Sequence, residues 1–121
     1  MSEAKGSWKE VQQKYFSIWI NVFDKSREGI NLSTPCPLCG ERTLHRYYTV
    51  KQQGERILQG NRFTGLGELW EWCSTCRSFA RYSVAIPDWW SCDLSIDPRE
   101  LAHTPDVIEE ALRKRQQSNN L

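Results

Sequence analysis

A chain of 121 residues, 39% apolar and with a formal charge of +1, is the size of one compact domain with one core. Sixteen Lys and Arg against fifteen Asp and Glu leave no basic excess of the kind that a domain built on phosphate contacts carries. The opening MSEAKGSWKE has no apolar signal-peptide centre, and no run approaches the ~18 apolar residues of a membrane span, so a cytoplasmic protein with no membrane role is expected.

The first element is announced by Ser7 and Glu10, spaced as a capping box. After them Trp8, Val11, Tyr15, Ile18, Trp19, Val22 and Phe23 recur at helical spacing, which predicts one long amphipathic helix over residues 8–27 with Gly29 as its stop. Phe16 and Ile20 widen the apolar stripe, so this helix should pack heavily on the rest of the domain. From STPCPLCGERT onward the texture changes to turn residues and short β-like runs. TLHRYYTVK, RILQG, GELWEWC and SFARYSVAI read as four strands, with KQQGE as a hairpin turn and GNRFTGLGE as a Gly-rich loop. That loop has the wrong spacing for a phosphate or dinucleotide fingerprint. Asp97, Pro98 and Glu100 suit a short capped turn, and Thr104 with Pro105 opens a terminal helix whose Val107, Ile108, Ala111 and Leu112 share a face. Its final SNNL should fray. The expected architecture is a single α+β domain over 1–121, with an antiparallel sheet in 33–86 between the N-terminal helix and a helical segment in 97–117.

Five cysteines in a reducing compartment point to metal binding or thiol chemistry before a disulfide framework, which an odd number does not suit. Cys36 and Cys39 stand in CPLCG, and Cys73 and Cys76 in CSTC. A two-residue gap folds into a tight turn whose amides point at the sulfurs, and two such turns complete a tetrahedral shell of four thiolates around structural zinc. Pro37 sets the first turn, and Gly40 supplies the positive φ after its second thiol. A rubredoxin-like iron centre uses the same donors. A catalytic zinc needs an open position, which four thiolates close, and a dithiol oxidoreductase needs its CxxC at a helix start after a strand. Cys92 has no partner at ligand spacing and reads as a buried free thiol. Neither His45 nor His103 belongs to a visible catalytic set, so no enzyme is expected.

CPLCG together with CSTC resembles a zinc ribbon, in which two knuckles at hairpin turns hold one structural zinc; the likeness covers residues 36–76. Two departures stand out. The 33 residues between the pairs exceed the commoner separation of about 15 to 20, and Arg77 replaces the Gly expected after Cys76, which puts the symmetry of the second knuckle in doubt.

Six tryptophans are many for one modest core. Trp70 and Trp72 share a strand face by the period of two and are expected to wall the thiolates from water. Trp89 and Trp90 stand among Asp88, Asp93, Asp97 and Glu100, the aromatic anchor with charged rim that protein interfaces use. The order CPLCG, ELWEWCSTCRSF, VAIPDWW also resembles small zinc-ribbon immunity proteins of bacterial polymorphic-toxin and contact-dependent inhibition systems. That resemblance implies a non-enzymatic protein that binds and neutralises a cognate toxin domain inside the cell. The alternative is a nucleic-acid-binding ribbon, as in transcription or RNA-processing factors, using Arg42, Arg46, Lys51, Arg56 and Arg62 with Tyr47, Tyr48 and Phe63 as stacking groups.

Overall fold

The computed structural model describes residues 8–26, 29–58, 60–90, 92 and 94–119. It is a mixed α and β fold. A five-stranded sheet in the order β1-β5-β4-β3-β2 is built from β1 (Lys9–Glu10), β2 (Asn31–Leu32), β3 (Leu44–Leu58), β4 (Asn61–Cys73) and β5 (Ser78–Pro87). Helix α1 (Gln13–Lys25) packs on one face and helix α2 (Asp106–Asn119) on the other.

Strand parity explains the three layers. Leu44, Arg46, Leu69, Glu71, Cys73 and Ala80 alternate with His45, Tyr47, Trp70, Trp72 and Phe79 along paired strands, so the two sets lie on opposite faces. The first face meets Trp19 and Phe23 of α1, both fully buried. The second meets Ile108 and Leu112 of α2, with Leu94, Ile96 and Leu101 of the intervening segment.

The N-terminal helix is shorter than its periodicity suggests, since it starts at Gln13 and residues 8–12 are extended. Ser7, half of the expected capping box, lies outside the described residues, and the N-cap is Gln12, which makes no side-chain cap bond. Lys9 and Glu10 instead form a parallel edge pair with Ser78 and Phe79, which also departs from the purely antiparallel sheet expected. From this start the stripe facing the core runs through the half-buried Phe16 and the buried Trp19 and Phe23, and Ile18 is left 53% exposed. Arg27 and Glu28, where the helix was expected to end, lie outside the described residues.

KQQGE is not a turn and GNRFTGLGE is not a loop. Both belong to the long β3–β4 hairpin, whose tip holds Gly60 at φ +82°. Two register shifts, between Val50 and Gln52 and between Gln53 and Arg56, absorb the polar KQQGE run as bulges. The glycines of β4 act by closeness of backbone: a Cβ on Gly65 would run into Gln52 O, and one on Gly67 into Thr49 O. Asp97 caps the 3-10 turn Pro98–Glu100 as expected, its side chain accepting from the Arg99 N–H at 3.0 Å. The last helix is longer than expected, since Ser118 and Asn119 of SNNL are helical. Among the described residues no helix is long and apolar enough to cross a membrane.

Candidate metal centre

The first cysteine pair stands in the connection between β2 and β3; in the second, Cys73 ends β4 and Cys76 lies in the turn to β5. Each folds into the same knuckle. The Gly40 N–H donates to Cys36 O at 2.8 Å, and the Arg77 N–H donates to Cys73 O at 3.0 Å. Gly40 sits at φ +84° and Arg77 at φ +62°, so the arginine takes the left-handed conformation expected of the missing glycine. That conformation costs a side-chain-bearing residue roughly 1–2 kcal/mol. The extended N-terminal segment holds it: the Arg77 guanidinium lies 4.0 Å from the Trp8 ring centroid, and Arg77 O accepts from the Lys9 N–H at 2.9 Å. The symmetry left in doubt by the sequence is thus kept, at the expense of the first turns of the expected helix.

The four sulfurs converge to within 4.8 Å of one another. Cys36 Sγ lies 3.8 Å from Cys76 Sγ, and Cys39 Sγ lies 3.7 Å from Cys73 Sγ. A tetrahedral zinc with Zn–S bonds of about 2.3 Å has S···S edges of about 3.8 Å, so the spacing fits such an ion. These separations are far beyond the ~2.05 Å of a disulfide, so none of the four is disulfide-bonded. Cys36 and Cys73 are buried, Cys76 is half-buried and Cys39 is exposed.

The knuckle amides and nearby hydroxyls turn toward the sulfurs. The Leu38 N–H donates to Cys36 Sγ at 3.4 Å, with a second bond from the Cys39 amide. The Glu41 amide serves Cys39, and the Ser78 amide and Oγ serve Cys76. Thr43 Oγ1 stands 3.3 Å from Cys73 Sγ. Burial pushes the Cys36 thiol up to about 12, and the neighbouring Cys73 and Cys76 sulfurs add to the rise. For Cys76, burial raises the thiol, but the bonds from Ser78, Cys73 and Cys36 outweigh it and the net shift is downward. A cation is the natural remedy for four crowded sulfurs, because it makes each thiolate favourable.

Trp70 and Trp72 do share a face, but it is the face turned away from the thiols. Both pack against α2 in the second core cluster, and the apolar residues around Cys36 and Cys73 are Trp19, Phe23, Leu32, Leu44 and Ala80. The reason is parity: Cys73 follows Trp72 in β4 and so faces the other way. The indole N–H of Trp70 donates to Ala102 O at 2.9 Å, and that of Trp72 to Glu109.

A polar latch ties α2 to the second knuckle. Ser74 Oγ donates to Glu109 Oε2 at 2.7 Å and stands 2.7 Å from His45 Nε2, while His45 Nδ1 is 2.8 Å from Asn31 Oδ1. His45 stacks on Trp72 with centroids 5.3 Å apart. Burial lowers the His45 pKa, although Glu109 pulls it upward, and favours the neutral ring. Neither Ser74 nor Glu109 stood out in the sequence, since the three partners lie on separate elements.

Arg46 and Glu71 were also missed as a pair. They are direct cross-strand partners, 2% and 1% exposed. Arg46 donates to Phe23 O at 2.9 Å and Ser26 O at 3.4 Å, capping the end of α1, and its guanidinium lies 4.5 Å from the Trp90 centroid. Glu71 Oε1 accepts from Trp19 Nε1 at 3.1 Å and from Tyr82 OH at 2.7 Å. The alternation Leu69, Glu71, Cys73 was the available signal, because it sets a carboxylate on a core face.

The aromatic and acidic residues near the C-terminal end divide between the two faces. Asp88 and Trp89 are exposed, and Trp89 and Trp90 line a cleft of about 420 Å³ beside α1. Asp97 and Glu100 line a different groove of about 480 Å³ with Asp106 and Glu110 beside α2. Asp93 lies outside the described residues. Cys92 is half-buried and its thiol lies 3.6 Å from Leu94 O. Of the basic and aromatic residues of the nucleic-acid alternative, Arg46 and Tyr47 are buried, Arg62 pairs with Glu55 and Lys51 with Glu68. The Arg56 side chain lies outside the description. No protein-family model, curated protein or solved structure matches the chain.

Proposed function

We propose that this chain is a non-enzymatic protein-binding module with structural zinc, and that it acts as an immunity protein neutralising a cognate bacterial toxin domain in the cytoplasm. The convergence of all four CxxC sulfurs within 4.8 Å carries the metal part of this reading. Four thiolates leave the ion no open position, which suits a staple for the fold and not a reaction centre. The binding part is supported by Trp89, 37% exposed, which follows the exposed Asp88 and lines a cleft with Phe63, Tyr82 and Trp90, an aromatic anchor beside a charge. The likeness of CPLCG and ELWEWCSTC to zinc-ribbon immunity proteins supplies the class of partner.

Co-expression tests the whole reading. Cells carrying the toxin domain encoded directly upstream should survive when this protein is made, and the two purified proteins should form a complex. Trp89→Ala should weaken that complex at least tenfold, about 1.4 kcal/mol or more, with the metal retained. No rescue and no complex would remove the immunity reading, whereas metal analysis finding iron or no metal would remove the zinc centre.

A further inference from the structure

The outer edge of β5 is only partly used. β1 pairs with Ser78 and Phe79, and the Val11 N–H donates to Phe79 O before the chain turns into α1. Arg77 O and Phe79 O are thus the outward carbonyls of this edge. Alternate residues of an antiparallel strand turn both backbone groups to the same side, so Arg81, Ser83 and Ala85 are the next three facing away from β4. Among the described residues no backbone bond reaches them on that side.

The two long edges of the sheet differ. β3 is broken by two register shifts and carries Lys51, features that deter an added strand. β5 keeps an unbroken register with β4 from Phe79 to Ile86, and its Arg81 is held by Glu68 and lies over Trp70 on the sheet face. The cleft beside α1 adjoins this same stretch. Leu69, Tyr82 and Val84 line it with Ile20 and Trp89, and Asp24 on its lining disfavours an acidic guest.

We propose that β5 is the docking edge for an extended segment of a partner protein, which continues the line of β1 along Arg81–Ala85 and sets an apolar side chain in the cleft. Only another extended backbone offers N–H and C=O groups at the repeat these rungs require, and the adjoining cleft supplies side-chain selectivity. β1 demonstrates that the edge accepts a parallel strand. The inference rests on the protein-binding reading only in taking a partner to exist.

The test uses the full-length, metal-loaded protein and a phage-displayed library of random dodecapeptides, followed by the synthetic peptide that is selected. Ser83→Pro removes one outward N–H without touching a β4 bond, and Val50→Pro makes the matching change on the opposite edge. Peptide affinity should fall at least tenfold in Ser83→Pro and stay within twofold in Val50→Pro. In the unaltered protein the amides of Arg81, Ser83 and Ala85 should gain hydrogen-exchange protection on peptide binding, a readout that stands even if a proline variant misfolds. Absence of any selected peptide, protection confined elsewhere, self-association of the chain through β5 in place of peptide binding, or equal toxin rescue by Ser83→Pro and wild type would overturn the edge. A toxin left unneutralised while β5 still takes peptide would instead overturn the immunity reading alone.

Discussion

Glu71 is the residue on which the α1 face turns. Its carboxyl lies 1% exposed between two tryptophans in sequence, yet it looks away from both and takes the Trp19 N–H and the Tyr82 hydroxyl. Burial pushes its pKa up to about 8, against the pull of Tyr82, Trp19 and Arg46. Removing it strands the Trp19 and Tyr82 donors and takes away the carboxyl that lies across the strands from Arg46. Glu71→Ala should therefore cost about 2–5 kcal/mol in urea unfolding, since each buried donor left unsatisfied costs about 1–3 kcal/mol, and Glu71→Gln, which keeps an acceptor, less than half of that. Equal losses in the two variants would show that volume, not hydrogen bonding, is what Glu71 contributes.

Between elements, the knuckle turn of β4–β5 and helix α2 are joined by Glu109, which takes bonds from Ser74 and Trp72. Glu109→Ala should lower stability by about 2–3 kcal/mol, since bonds to a charged acceptor contribute roughly 1.5–3 kcal/mol each and some rehydration offsets their loss. Hydrogen exchange should then rise in α2 before it rises in β3 or β4. His45 makes the same latch sensitive to acid. Its folded pKa lies below the usual value near 6.5, so the stability it contributes is present above about pH 6.5 and lost as pH falls through the lower folded value. Between pH 7 and pH 5, wild type should lose more stability than His45→Gln; parallel curves would remove His45 from the latch.

At the scale of the whole molecule, the four thiols form a cluster that could hold a metal ion. Two knuckles that are 33 residues apart in the chain bring the β2–β3 connection to the β4–β5 turn, so under the proposed zinc staple metal binding and sheet closure would be one event. Cys39→Ser or Cys73→Ser should lose zinc and most of the far-UV signal together. Metal affinity should also fall as pH falls, because each bound thiol must give up its proton, and the Cys36 thiol holds its proton up to about 12 when no ion is present. Chelator competition across pH checks the slope, and a fully folded variant without metal would show that the staple is dispensable.

Much of this was legible in the chain. The spacing of Cys36, Cys39, Cys73 and Cys76 announced the four-sulfur cluster that could hold a metal, because a CxxC turn is local geometry and its amides come with it. Gly40 announced its own positive φ, and Asp97 with Pro98 announced its turn. Strand parity likewise placed Trp70 with Trp72. Other features came only with the fold. Trp8 to Gln12 has helical periodicity, but Arg77 and the β5 edge compete for it and the strand wins. KQQGE and GNRFTGLGE look like turn and loop until the partner backbone shows that bulges take up the polar run and that Gly65 and Gly67 allow close approach. Which side of the sheet the tryptophans and the thiols each occupy, and that Arg46 meets Glu71, are decided by cross-strand register, a long-range property that no local stretch encodes.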